Sequence, residues 1–317
     1  MSTSALQTRS ASVHRWMWLP RTGLVAATFF WAGNFVVGRA LRADIDPIAL
    51  NFWRWCIAGA VLAVFFLPAL LQQWSLLRRH LRLVALLGLT GIAVPHSCVY
   101  AALQTTSAVN ALLLLNLVPV LVTLGARYLF QQPIHARQWC GIAACLFGAA
   151  SLLVRWDPAV LSNLHFTGGD LWMLPAIAGG AAHILLLKKT PAGITQGPLL
   201  LSSVVAALLM MAPALAWTGE VGVSMLTRHW AGVMYIGVFA SAAAFFLWNR
   251  GVADLGAQRA APFMYLMPVY GALLSIFFLG EPPQGYQLAG GAVVLTGLWL
   301  ARPAGSTATA VQGPPGA

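Results

Sequence analysis

The sequence predicts an all-α integral membrane protein with ten transmembrane helices, arranged as two inverted five-helix repeats around a central cavity. Composition, an internal repeat and the placement of basic residues each point there. Of 317 residues, 59% are hydrophobic and only 8% are charged, and the mean hydropathy is +0.78. A single water-facing fold cannot enclose that much apolar surface, so the chain needs a bilayer. The stretch from Leu83 to Leu152 also recurs, without a gap, at a shift of 149 residues. Gly88 falls on Gly237, Ala108 on Ala257, Pro119 on Pro268, Gln138 on Gln287, Gly141 on Gly290 and Gly148 on Gly297. Apolar composition alone does not align Pro, Gln and Gly, and a repeat of apolar helices is a transporter signature.

A span needs about 20 apolar residues. Ten runs qualify: 22–38, 47–70, 83–102, 107–128 and 136–154, then 170–187, 195–217, 229–249, 257–279 and 285–301. They divide the chain into a cytoplasmic N-terminal tail (1–20), a first repeat (21–155), an extracytoplasmic linker (156–169), a second repeat (170–302) and a C-terminal tail (303–317). The N-terminal tail carries Arg9, His14 and Arg15 but lacks the apolar stretch and small-residue cleavage site of a signal peptide. The C-terminal tail is rich in Pro, Gly, Ala, Ser and Thr without periodicity, and is expected to be disordered.

Lys and Arg set the orientation. An N-terminus inside places thirteen of the eighteen on the cytoplasmic side, leaving Arg39, Arg42, Arg155 and Arg228 outside and Arg54 within a span. Five spans per repeat is an odd number, so the second repeat enters from the opposite face. Exchanging the conformations of two inverted halves converts an outward-open state into an inward-open one.

The net charge of +11 would suggest nucleic acid for a soluble chain. Here the basic residues sit in short loops between apolar runs, so positive-inside topology explains them and no nucleic acid is expected. Cys56, Cys98, Cys140 and Cys145 lie within apolar runs without a CxxC pair, and read as small buried hydrophobes.

All seven acidic residues (Asp44, Asp46, Asp157, Asp170, Glu220, Asp254 and Glu281) map to loops or span ends. Proton-coupled export of organic cations, which commonly needs a carboxylate inside the membrane, therefore loses support. Anionic cargo such as sugar phosphates would ask for a buried cation, and only Arg54 qualifies. It lies about seven residues inside the outer end of its span, where a long side chain is expected to snorkel to the interface, the alternative being a substrate or gate role.

The remaining polar groups in the spans are uncharged or histidine. Trp31, Asn34 and Gly38 share a helix face at spacings of three and four. His96 and Tyr100 form an i, i+4 pair after Pro95; His183 follows Gly179 and Gly180; Trp248 adjoins Asn249; Asn116 and Tyr265 occupy the same repeat position, as do Asn34 and His183. We expect Trp31, Asn34, His96, Tyr100, Asn116, His183, Trp248, Asn249 and Tyr265 to line an aromatic, polar and nearly neutral pocket suited to a small zwitterion or amphipathic metabolite. Hinge or gate roles fall to Gly38, Arg54, Pro119 and Pro268, since a proline within a span frees a carbonyl and bends the helix. Against these readings stand interhelical hydrogen bonds for Asn and His, packing or interface anchoring for Trp, and tolerated prolines. Positions at which the repeats differ, His96 against Phe245 and Tyr100 against Asn249, are where specificity is expected.

The string Phe30-Trp31-Ala32-Gly33-Asn34-Phe35, the run from Ala108 to Pro119, and Gln132-Pro133 or Glu281-Pro282 before a Gly-spaced last helix resemble EamA domains. These are the repeats of the drug/metabolite transporter superfamily, and the resemblance covers nearly all of residues 20–302. It implies ten helices, cytoplasmic termini, inverted halves around a central cavity, and export of amino acids and related metabolites. The length, the Trp248, Asn249 and Gly251 cluster and the carboxylate-free core look most like YddG-type aromatic amino acid exporters. The first repeat departs from the pattern by having Gln132 where the second has Glu281.

The resulting expectation is a multi-pass inner-membrane exporter of small neutral or zwitterionic metabolites, working by alternating access, with a small-molecule substrate and the lipid bilayer as its partners. Another neutral solute, such as a nucleoside, sugar or drug, is the rival cargo. An intramembrane enzyme using His96 and His183 would want a nucleophile or metal set beside them, and the chain has no HExxH, GxSxG or carboxylate partner. No catalytic residue, cofactor or metal is expected.

Overall fold

The computed structural model describes residues 3–41, 44–106, 108–155, 157, 159, 162, 167–218, 227–279 and 284–301, which are mostly helical with no strand among them. The expected C-terminal tail, Glu220 and the Glu281-Pro282 turn lie outside the described residues, as does most of the expected linker. In chain order the first half holds α1 (Thr3–Leu41), α2 (Pro47–Leu77), α3 (Leu81–Gly88), α4 (Val94–Thr105), α5 (Ala108–Leu115), α6 (Val118–Phe130) and α7 (Ala136–Val154). The second holds α8 (Gly168–Leu187), α9 (Gln196–Thr218), α10 (Trp230–Tyr235), α11 (Ala244–Leu255), α12 (Ala257–Ala260), α13 (Leu266–Leu279) and α14 (Gly285–Leu300). The helix of α1 continues through the expected N-terminal tail.

Local sequence explains the helix starts. Asp46 accepts from the amides of Ile48 and Ala49 at 2.8 and 3.0 Å, with Pro47 as the first helical residue of α2. Thr167 and Asp170 close a capping box on α8. Gln138 and Gln287 fold back on the amides of His135 and Gln284 at 3.2 and 2.9 Å, which accounts for a Gln at the same repeat position in both halves.

Six helical segments of the described residues are long and apolar enough to cross a membrane; α14, at 16 residues, is apolar but shorter. Their outward surfaces are greasy: Phe65 and Leu209 are each 70% exposed. Such side chains belong against lipid.

The repeat is visible in three dimensions. The chain widens into π-helical turns at Leu89–Ala93 and at Ile236–Ala243, which overlap at the 149-residue shift. Between the halves, helices pack antiparallel to their counterparts. A Cβ on Gly141 would strike the Gly297 carbonyl at 2.7 Å, and one on Gly148 the Gly290 carbonyl at 2.9 Å. Advancing one contact by 149 residues produces the other, as a two-fold axis across the α7–α14 seam requires. Cys145 Sγ lies 3.5 Å from the carbonyl of Val294, its own repeat mate, so both sit at that axis. In the α2–α9 pair, Asn51 meets Met211 at one end and Gln73 meets Thr195 at the other. Mates running in opposite directions make the two repeats inverted copies.

Two expectations need adjustment here. Pro119 and Pro268 lie within helical runs, as expected, but each follows an irregular turn. α5 ends at Leu115 and α6 restarts at Val118, while Ala261–Tyr265 forms a 3-10 turn ahead of α13. Each proline sits in the first turn of a new helix, where a missing N–H costs least. Cys140 is exposed rather than buried, because Gly141, Cys145 and Gly148 turn the other face of α7 toward α14.

Candidate functional site

A cavity of about 110 Å³ lies between α1, α4, α8 and α11 and the helix breaks that precede α6 and α13. That is room for several waters or a small side chain. Of its eighteen lining residues, fourteen form seven repeat-mated pairs. Trp31 pairs with Gly180, Asn34 with His183, Phe35 with Ile184 and His96 with Phe245; Val99 pairs with Trp248, Leu115 with Met264 and Val118 with Met267. The cavity therefore straddles the seam between the halves.

Its shape comes from the mismatches within pairs. Trp31 and Trp248 lean together with ring centroids 5.0 Å apart. Their mates, Gly180 and Val99, leave the equivalent place open, and a Cβ on Gly180 would meet only Val118 at 3.9 Å. Phe245 anchors the filled side, packing against Trp31, Trp55, His96 and His183 at centroid separations of 5.3, 4.9, 5.4 and 6.1 Å. Such tilted and edge-on contacts suit aromatic quadrupoles.

Polar groups are few and mostly committed. Trp31 Nε1 donates to the Ala240 carbonyl at 3.0 Å. His96 Nδ1 lies 3.2 Å from the Ile92 carbonyl, which can only accept, so that nitrogen carries the proton. His183 Nε2 sits 3.2 Å from Asn249 Oδ1, and its ring presses on Gly91, which has no side chain to obstruct it. Gly179 admits Pro95 in the same way.

Six of the nine expected pocket residues line the cavity: Trp31, Asn34, His96, Tyr100, His183 and Trp248. Asn249 stands behind the wall, holding His183. Asn116 and Tyr265 do not line it; both are buried at the helix breaks, with Asn116 Nδ2 and the Tyr265 hydroxyl lacking a hydrogen-bond partner. Gly38 lies against the Tyr100 ring, 3.1 Å from where its Cβ would stand. Pro119 and Pro268 start the helices beside the wall residues Val118 and Met267. Phe35, Val99, Met264 and Met267 were not expected. Their signal was the repeat itself, since each is the mate of another cavity residue.

Arg54 is the largest departure from expectation. It does not snorkel: its side chain is fully buried. Nε donates to Ser241 Oγ at 2.7 Å and Nη1 to the Tyr100 hydroxyl at 2.6 Å, with longer bonds to Asn34 Oδ1 and the Ala240 carbonyl, both 3.4 Å. Snorkelling needs a clear run to the interface, and here the π-helical turn of the second half blocks it. Asp170 is likewise buried, 2% exposed, accepting hydrogen bonds from Thr106 Oγ1 and the Thr167 amide.

Two inverted helical repeats enclosing an aromatic cavity match a known family. The sequence profile of the EamA-like transporter family matches residues 22–154 and 167–302. The chain belongs to the EamA-like transporter family. It is 24% identical over 286 residues to the uncharacterized transporter YyaM of Bacillus subtilis, covering 88% of this chain and 92% of that one. It is 26% identical to a "Probable biotin transporter" of Pseudomonas aeruginosa, over 88% of this chain and 96% of that one. It is also 26% identical to a "Probable terminal-alkyne amino-acid exporter" of Streptantibioticus cattleyicolor, over 87% and 91%. A crystal structure superposes with a TM-score of 0.69 at 19% identity, covering 90% of this chain and 96% of that one, and shares the fold. As an EamA protein the chain is a multi-pass membrane transporter of small molecules.

Proposed function

We propose that this EamA transporter exports small amino acids and related metabolites, aromatic ones and Met or Thr among them, in the manner of YddG-type exporters. Ten spans, with both termini in the cytoplasm of an inner-membrane protein, would carry the two repeats. The observation behind this reading is the cavity itself: an uncharged aromatic wall placed where two inverted halves meet. Rocking one half against the other, with the broken helices at Pro119 and Pro268 as hinges, would expose that cavity to each side in turn. The pairing of nearly every wall residue with its repeat mate supports this, because an exchange of conformations between halves then re-forms the same wall from the other side.

Purified protein in liposomes, loaded in turn with labelled Phe, Trp, Met and Thr, is expected to show saturable flux for at least one. Absence of saturable flux for all four would sink the amino acid reading. Repeating the assay under imposed proton and potential gradients reads the coupling directly.

A further inference from the structure

Arg54 stands one side chain behind the cavity wall and has no counter-charge. Its four hydrogen-bond partners, Ser241, Tyr100, Asn34 and the Ala240 carbonyl, are all neutral. The ion pairs among the described residues, His229 with Asp44 and Arg250 with Asp254, lie elsewhere. The buried Asp170 carboxylate is already committed to Thr106 and Thr167. A guanidinium withdrawn from water is costly unless an opposite charge faces it, and the described chain supplies none.

Two of the four partners, Asn34 and Tyr100, are also cavity wall. The Tyr100 hydroxyl accepts from Arg54 and donates to Asn34 Oδ1 at 3.0 Å. With Oδ1 engaged by both neighbours, the Asn34 amide keeps Nδ2 as its remaining donor group. At one point the wall thus presents an amide donor, Asn34 Nδ2, backed by a positive charge, and apolar or aromatic surface over most of the rest. No acidic side chain lines it.

We infer that Arg54 is the specificity-determining cation of this cavity and that the ligand it selects carries a carboxylate. The carboxylate docks at Asn34 Nδ2, with Arg54 acting as a positioning residue through its bonds to Asn34 Oδ1 and to the Tyr100 hydroxyl. The ligand's apolar body occupies the space left by Gly180 and Val99. An ammonium group on the same ligand meets no carboxylate in the wall, only the aromatic faces of Trp31, Trp248 and Phe245, which attract cations weakly, and the neutral acceptor Nε2 of His96. This deepens the transport reading above and rests on it.

The test is binding to detergent-purified full-length protein, by calorimetry, of four ligands sharing one phenyl body: 3-phenylpropanoate, L-phenylalanine, L-phenylalaninamide and 2-phenylethylamine. The two acids are expected to bind at least about tenfold more tightly than the amide and the amine. Arg54→Gln is expected to abolish that ratio and Arg54→Lys to retain it. A structural role for Arg54 would instead weaken all four ligands alike. The inference is overturned by equal affinities in the wild type, by a preference that survives in Arg54→Gln, or by failure of both acids to bind. If Arg54→Gln is not monodisperse, the wild-type ratio decides alone. Liposome flux separates the two readings: carboxylate-selective binding without amino acid flux removes the amino acid cargo and leaves the Arg54 assignment standing. Flux without carboxylate preference does the reverse.

Discussion

At Gly180 an added side chain would project into open space, whereas at its repeat mate a Trp already fills the equivalent place. Gly180→Leu is therefore expected to leave thermal stability unchanged and to raise the KM for Trp or Phe about tenfold while affecting Thr far less. Liposome flux with the three substrates checks the ratio. Arg54→Met belongs to the same scale. Exchanging a buried, unpaired ion for an apolar chain of similar length is expected to hold or raise stability, by roughly 1 to 4 kcal/mol, while carboxylate preference disappears. A large drop in Tm would instead mark Arg54 as a clamp between the halves. At this scale the sequence was partly legible. Trp31, Asn34, His96 and His183 stood out because polar and aromatic side chains are scarce in apolar runs. Met264 and Met267 did not, since one Met among many apolar residues carries no signal of its own, and Phe245 drew notice only as the mate of His96. The burial of Arg54 was not legible either: it depends on Ser241, 187 residues away in the chain.

Among elements, the α7–α14 seam is the most demanding. Gly148→Ala pushes a methyl group into the backbone of Gly290 and Val294, and Gly290→Ala pushes one into the Leu152 side chain and toward the Gly148 carbonyl; each is expected to destabilise by about 1 to 3 kcal/mol. The two residues share one contact, so the double variant should fall short of the sum of the singles, as thermal melts of the set would reveal. Pro119→Ala restores a donor at the start of α6 and favours a continuous helix through Asn116 and Leu117. Flux is expected to fall while the protein remains folded, a result read by transport beside gel filtration. Here the spacing of Gly carried a packing signal, whereas the repeated Gln marked only the repeat, and its capping role came from the structure. The exact place of the helix break did not follow, since a proline is equally compatible with a kink and with a helix start.

For the molecule as a whole, α2 supplies a natural ruler. Its 31 residues span about 46 Å, with Asp46 at one end and Gln73 near the other. Asp44 reaches His229 across the halves beside the first end, and Gln73 reaches Thr195 beside the second. In a background lacking Cys56, Cys98, Cys140 and Cys145, a cysteine pair at either position, bridged by a short bifunctional thiol reagent, is expected to stop flux. A rigid pore would tolerate both bridges. The two-repeat plan was legible from the 149-residue shift alone, because identical spacing of Gly and Pro survives where side chains drift. The asymmetry that makes the cavity was not, as it lies in the differences between copies. The seam between α7 and α14 carries one further consequence. Because Gly141 meets the mate of Gly148, and Gly148 the mate of Gly141, the surface is complementary to itself. One short stretch of coding sequence thus specifies both walls of the joint, and a tandem copy inserted the other way up arrives with a partner that already fits.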